Sequence, residues 1–187
     1  MVQAVILYGP PAAGKDTVTG ALAELDSKYR QFARLKVGAG KSAGYRMGTD
    51  EQLHALESAG DVIYANSRYG NTYVIDRPGV DAALAAGVPV VHLGQVEGIR
   101  TLVDGYAADW AVVLLWCPLE ATQQRSVRRG DRDTEARVAA WQATHKDLDA
   151  HPDVRWDLTI DTTAVAPAEA ARLIDRLLVQ RAGGAAA

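Results

Sequence analysis

Gly9-Pro10-Pro11-Ala12-Ala13-Gly14-Lys15-Asp16-Thr17, directly behind the apolar run Val5-Ile6-Leu7-Tyr8, is the stretch that decides the fold. It fits the spacing G-x-x-x-x-G-K with a strand pattern before it and a helix pattern after it, the context that a phosphate-cradling loop requires. The reason is geometric. Small residues let successive backbone N–H groups turn inward as an anion-binding concavity, the new helix adds its positive end, and Lys15 reaches the outer phosphates. The expected phosphate-holding residues are therefore Gly9 through Thr17. One position departs from the common form: Asp16 stands where Ser or Thr ordinarily offers a hydroxyl to Mg²⁺. The expected metal ligand is then a carboxylate, acting directly or through water.

Working outward from the loop, residues 2–8 read as a strand buried on both faces and residues 15–25 as the helix that follows. Residues 31–37 predict a second strand. The glycine-rich stretch 38–48 reads as a working loop, and it carries Lys41, Tyr45 and Arg46. Thr49-Asp50-Glu51-Gln52 is a capping-box signature for a short helix that stops at Gly60. Short strands are predicted at 61–65 and 69–75, joined through Asn66-Ser67-Arg68, and Pro78 and Gly87 bracket a helix. Further strands fall at 88–93, 110–116 and 158–160, and further helices at 96–106, from Pro118, at 134–150 and at 167–181. The alternation predicts an α/β P-loop NTPase fold, a parallel sheet with helices on both faces. It is expected as one domain, with core segments 1–37 and 76–181, an acceptor-binding insertion over about 38–75 and an arginine-bearing lid over about 128–137.

Composition narrows the partners. With 187 residues, 48% of them hydrophobic, the chain can bury a full core without staples. A net charge of −3 excludes a surface built for nucleic acid or anionic lipid by bulk electrostatics. The single Cys117 excludes an internal disulfide framework and reads as a buried structural thiol. No run approaches the roughly 18 apolar residues of a spanning helix, so a cytoplasmic monomer or homodimer with a small-molecule substrate is expected.

Two groups of cations carry the chemistry. Arg125, Arg128, Arg129, Arg132 and Arg137 crowd around a charged turn. Phosphoryl transfer needs guanidinium groups that surround the moving phosphate when the site closes, and Arg125, Arg129 and Arg137 are the expected catalytic set beside Lys15. The second group is Arg34, Lys36, Lys41, Tyr45, Arg46, Arg68 and Tyr69. Cations and phenols on loops suit an acceptor phosphate that is held but not transferred, which makes Arg34, Lys41, Tyr45, Arg46 and Tyr69 the expected acceptor contacts. The strand-end Asp that orders the metal in many such proteins is absent, because Gly94 and Gln95 follow Leu93. Asp76 is a substitute in sequence and equally a helix cap. His92 reads as a packed strand histidine, and Asp161 either meets a nucleotide base or begins a turn.

In this order of features the chain resembles the guanylate kinase-like branch of P-loop small-molecule kinases. The resemblance runs from the Gly9 loop through Tyr45, Tyr69-Gly70, Glu97-Gly98 and Pro118 to Arg129-Gly130 and Arg137. The ribose 1,5-bisphosphate phosphokinases are similar at Gly14-Lys15-Asp16 and over Ala65-Asn66-Ser67-Arg68-Tyr69-Gly70. The resemblance implies ATP as donor, Mg²⁺ as metal, and a phosphorylated acceptor, first a nucleoside monophosphate and otherwise ribose 1,5-bisphosphate. Guanine itself is not implied. The T-T-R motif that grips the GMP phosphate is missing, and Ile63-Tyr64-Ala65 occupies the region of the guanine-reading glutamate. A kinase of an unphosphorylated metabolite would need a carboxylate base, for which Asp76 is the sequence candidate. A non-catalytic interaction module would tolerate an eroded phosphate loop, whereas Gly9, Gly14 and Lys15 are intact here.

Overall fold

Two sheets share the chain. In the computed structural model, which describes residues 2–40, 42–68, 70–130 and 134–184, the elements run β1 (Gln3–Tyr8), α1 (Lys15–Leu25), β2 (Tyr29–Gln31), β3 (Arg34–Val37), β4 (Tyr45–Gly48), α2 (Asp50–Ala59), β5 (Val62–Arg68), β6 (Asn71–Asp76), α3 (Arg77–Ala86), β7 (Val88–Leu93), α4 (Val96–Gly105), β8 (Asp109–Trp116), α5 (Leu119–Arg128), α6 (Thr134–Ala150), β9 (Leu158–Asp161) and α7 (Pro167–Gly184). The larger sheet has the order β2-β7-β1-β8-β9 and is parallel throughout.

β1 lies at its centre, and Ala4 to Tyr8 are fully buried. Alternate side chains serve opposite cores. Val5 and Leu7 pack with Val18, Leu22, Ile174 and Leu178 of α1 and α7, while Ala4, Ile6 and Tyr8 pack with Ile99 and Leu102 of α4. Each fully buried aliphatic side chain of this kind stabilises by about 1.5–3 kcal/mol. A parallel strand covered on both faces must be apolar along its whole length, which is why no polar residue interrupts Ala4–Leu7.

The smaller sheet has the order β4-β3-β6-β5. The strand expected over 31–37 is thereby divided. Gln31 pairs with Val90 of β7 and ends β2, Phe32 buries its ring, and Arg34–Val37 joins β6 in the second sheet. The glycine-rich loop expected over 38–48 also contains a strand, because β4 runs parallel to β3 from Tyr45 to Gly48. Asn66 to Arg68, expected as a connection, extend β5 and pair with Tyr73, Thr72 and Asn71. The chain reverses between the paired Arg68 and Asn71, where Gly70 takes φ +71° as a tight hairpin turn requires.

Helix ends follow local chemistry. Thr49 and Gln52 form the reciprocal capping box at α2. Asp76 caps α3 by accepting from the Gly79 N–H at 2.8 Å. Of the charged turn expected over 128–133, Arg128 still belongs to α5, Arg129 is its C-cap and Gly130 takes φ +71°; residues 131–133 lie outside the described residues. Cys117 is buried as expected. Among the described residues no helix is long and apolar enough to cross a membrane.

Candidate functional site

The loop between β1 and α1 closes against β8. A Cβ on Gly9 would fall 2.1 Å from the carbonyl oxygen of Leu115, at φ +155°, so only glycine lets the chain turn there. Gly14 is the N-cap of α1 in the left-handed region and brings no side chain to its N–H groups. That leaves the first-turn donors open to an anion. Lys15 Nζ donates to the carbonyls of Gly9 at 2.6 Å and Pro10 at 2.9 Å. Burial lowers its pKa to about 8, with Asp16 opposing the fall.

α5 braces this loop from outside. Thr122 Oγ1 donates to the Pro11 carbonyl at 3.0 Å. Arg125 donates to the Ala12 carbonyl at 2.9 Å, and to Thr162 at its hydroxyl, 3.0 Å, and its carbonyl, 2.7 Å. Arg125 thus bridges the loop to the turn after β9, a holding role that sequence reasoning did not anticipate. With Arg129, Gly14, Thr17 and Pro167 it lines a cleft of about 210 Å³. Arg129 sits at the C-terminal cap of α5, and Arg137 stands in the first turn of α6. Asp161 begins a turn: its carboxylate accepts from the Thr163 hydroxyl and N–H at 2.6 and 2.8 Å, and these bonds hold its pKa below the ordinary value.

On the inner side a polar cleft of about 160 Å³ is lined by Asp16, Phe32, Arg34, Tyr45 and His92. Arg34 donates to Asn66 Oδ1 at 3.1 Å and stacks 5.5 Å above the Tyr73 ring. Lys36, only 2% exposed, lies 5.7 Å from the Tyr45 ring and 6.0 Å from that of Tyr73. Its Nζ donates to the Ala39 carbonyl at 2.7 Å. The second sheet thus meets the phosphate loop across this cleft with interleaved cations and phenol rings.

Arg46 does not join them. Neighbouring residues on a strand point to opposite faces, so with Tyr45 turned into the cleft, Arg46 turns to the other side, where it pairs with Asp76 and donates to the Ala33 carbonyl at 2.9 Å. The same pair, with the cap on α3, occupies Asp76, which is 2% exposed; it is placed neither as a metal ligand nor as a base. Lys41 and Tyr69, the remaining expected acceptor contacts, lie outside the described residues.

Sequence reasoning missed Asp147. This α6 residue lines a cleft of about 260 Å³ together with Gly9, Lys15, Gly94, Gln95 and Thr144. Its Oδ2 accepts from the Tyr8 hydroxyl at 2.8 Å and from the Val96 N–H at 2.7 Å, capping α4 from another helix. Burial, and then this carboxylate, drive the Tyr8 hydroxyl pKa well above its usual value. No local pattern marks Asp147, because all of these partners are distant in sequence.

His92 is more than packed. Its Nε2 lies 2.7 Å from Thr19 Oγ1 and its Nδ1 3.5 Å from Asp16 Oδ1. Burial, then the Lys15 charge, lower its pKa to about 4, so the ring is neutral. No group of three or more His, Cys, Asp or Glu among the described residues forms a protein cage for a metal. That suits an ion such as Mg²⁺, which takes most of its ligands from phosphate and water and could meet the exposed carboxylate of Asp16.

The family model of chloramphenicol phosphotransferase-like proteins matches residues 2–179. Among curated proteins, the guanylate kinase of Hahella chejuensis (strain KCTC 2396) is 26% identical over 157 residues, which span 81% of this chain and 75% of that protein. Among solved structures, guanylate kinase from Anaplasma phagocytophilum superposes with a TM-score of 0.64 at 17% identity, covering 96% of this chain and 85% of the other. Shikimate kinase from Acinetobacter baumannii, in complex with shikimate, gives 0.52 at 21% identity, with 97% and 95% covered. These structural likenesses establish the fold, an α/β P-loop kinase architecture, as the spacing of the phosphate loop predicted. The guanylate kinase resemblance read from the sequence is met by both a curated relative and a structural one.

Proposed function

The chain belongs to the chloramphenicol phosphotransferase-like family and has the fold of P-loop kinases, and from that premise we propose that it transfers the γ-phosphoryl group of ATP to a small acceptor that already carries a phosphate, a nucleoside monophosphate before a sugar phosphate. The observation that carries this is the inner cleft, where Arg34 and Tyr45 of the second sheet face Asp16 and His92 of the phosphate-loop side, with Lys36 buried behind the same phenol rings. Cations fixed by aromatic neighbours are suited to an anionic handle and lose little entropy on gripping it.

Lys15 and the backbone from Gly9 to Thr17 hold the donor phosphates. Asp16 is the carboxylate at the metal, and a bound Mg²⁺ would supply charge neutralisation between the phosphates. Arg125 keeps the loop in shape, while Arg129 and Arg137 approach from the two helices that flank Gly130. A phosphate oxygen as nucleophile needs no protein base.

An alcohol acceptor is the alternative, and Asp147 favours it. The family's name refers to a phosphotransferase of a neutral alcohol, whose hydroxyl must lose a proton as it attacks. Asp147 is a carboxylate on the same cleft as Lys15. Its Oδ2 is already occupied by two donors, which weighs for the phosphorylated acceptor.

ADP release from ATP, scored over nucleoside monophosphates, sugar phosphates and neutral alcohols, separates the two. Turnover is expected with a phosphorylated compound and is expected to fall at least about 100-fold in Lys15→Ala, which removes a charge aimed at the transferring group. Unchanged turnover in that variant rejects the kinase assignment. Turnover confined to alcohols and abolished by Asp147→Asn transfers it to the alternative.

A further inference from the structure

Asp16 and His92 face each other in the inner cleft. Asp16 belongs to the first turn of α1 and His92 to the end of β7, where it sits in register beside Leu7 of β1. Their facing atoms, Asp16 Oδ1 and His92 Nδ1, are 3.5 Å apart. That is too long for a ring N–H bonded to a carboxylate, whose distance is about 2.7–2.9 Å. It matches two ligands of one ion: donors each about 2.0–2.2 Å from a metal stand roughly 3.0–3.5 Å apart at octahedral or tetrahedral angles.

The other side of the ring supports this assignment. A metal-bound imidazole as a rule gives its remote N–H to an oxygen that fixes tautomer and orientation. His92 Nε2 has such an oxygen in Thr19 Oγ1 at 2.7 Å, on a residue only 5% exposed. With the proton on Nε2, the Nδ1 lone pair points towards Asp16. The position is also the right one, since Asp16 directly follows the phosphate-binding Lys15, and both Asp16 and His92 line the inner cleft.

We propose that Asp16 and His92 together bind the divalent ion that accompanies the nucleotide, with His92 Nδ1 as a direct nitrogen ligand, and that the site therefore takes Mn²⁺ or Co²⁺ in preference to Mg²⁺. This rests on the kinase reading for the nucleotide, whose phosphates complete the coordination. Mg²⁺ favours oxygen donors, whereas imidazole strengthens binding along the first-row series. Asp16 thus stands in the place of the loop hydroxyl, and His92 supplies the second protein ligand that a strand-end aspartate would otherwise give.

The test uses the whole protein with Mn²⁺ and ADP, followed by electron paramagnetic resonance and its electron spin-echo modulation. Nitrogen-14 modulation is expected in the ternary complex of the wild-type protein and is expected to vanish in His92→Ala. Mn²⁺ affinity of the protein–ADP complex is expected to fall about tenfold or more in His92→Ala and in Asp16→Asn, and replacing Mn²⁺ by Mg²⁺ is expected to weaken ADP binding. A ternary Mn²⁺–ADP complex of the wild type without nitrogen modulation overturns the proposal while leaving the kinase reading in place. Modulation that persists in His92→Ala overturns it equally, by assigning the nitrogen elsewhere. No ternary complex at all removes both.

Discussion

Replacing Arg46 by Leu removes the cation that faces Asp76 in the wall of the second sheet. Asp76 is 2% exposed and retains the Gly79 N–H at 2.8 Å, but its charge then has no countercharge at the position Arg46 vacates. Breaking a buried ion pair by removing one partner costs about 3–5 kcal/mol. The Arg46 side chain is 40% exposed, so water enters from that end and solvates part of the remaining charge, which brings the expected cost to about 2 kcal/mol. For a chain of 187 residues that corresponds to a Tm lower by about 4–8 °C. Calorimetric melting at pH 7 measures it, and ADP-release kinetics on the same preparations measure the acceptor KM, which is expected to stay within about twofold of wild type because Arg46 is turned away from the cleft. Adding Asp76→Asn to Arg46→Leu is expected to restore part of the loss, since a neutral amide needs no cation. A Tm within about 1 °C of wild type, with the acceptor KM raised tenfold, would place Arg46 on the substrate and refute this account.

Three further perturbations bear on the phosphate loop. Lys15 is lowered to about 8 in the free protein, and donor phosphates restore its charged form, so nucleotide binding takes up a proton above pH 8; Kd for ATP, followed by calorimetry from pH 7.5 to 9.5, is expected to rise by about tenfold per pH unit above 8, or about 1.4 kcal/mol. A flat profile would show that Lys15 is not the linked group. Gly9→Ala drives a Cβ to 2.1 Å from a backbone oxygen at φ +155° and is expected to destabilise by more than about 2 kcal/mol, visible in a urea midpoint; an unchanged midpoint would mean that the loop relaxes freely. Arg125→Met severs the link from Ala12 to Thr162 and is expected to raise the ATP KM about tenfold with a smaller change in kcat, whereas a loss confined to kcat would return Arg125 to the transition state.

Much of the fold was legible because its signals are local. The apolar run at 4–8 names a strand buried on both faces, the glycines and lysine behind it name the loop, Thr49, Gln52 and Gly87 place helix ends through bonds that span three residues, and Pro78 marks a helix start through its fixed φ. What was not legible depends on which strand pairs with which. Gln31 and Arg34 are close in sequence, yet one lies in β2 beside β7 and the other in β3 beside β6, and no periodicity within 31–37 marks that switch. The polar Asn66-Ser67-Arg68 has no apolar alternation to identify it as strand until β6 supplies the partner. The same holds at the site. Lys15 was found from spacing, while Asp147 and the Thr19–His92–Asp16 line exist only through contacts between elements. The sequence placed Tyr45 and Arg46 in one group of acceptor contacts, and alternation along β4 separates them onto opposite faces.

The two anchors on α6 limit what a lid can do here. Trp141 Nε1 donates to the Cys117 carbonyl at 2.9 Å, and Asp147 ties the next two turns to Tyr8 and Val96. Tyr8 is the last residue of the strand that carries the phosphate loop, and Val96 opens the helix beside it. Closure of α5 and α6 as one rigid unit would have to break those part-buried bonds, of which each one to the carboxylate is worth about 1.5–3 kcal/mol. Rotation at Gly130 itself breaks none of them, and Gly130 already sits in the left-handed region where a glycine reverses the chain without strain. Arg129 caps α5 and Arg137 stands in the first turn of α6, on either side of Gly130, while Arg125 is held to Ala12 and Thr162 and stays with the loop. The arginines therefore divide by place: Arg125 is bonded to the loop and keeps it in shape, while Arg129 and Arg137 stand on either side of the glycine, where the proposed phosphoryl transfer would need guanidinium groups as the cleft closes.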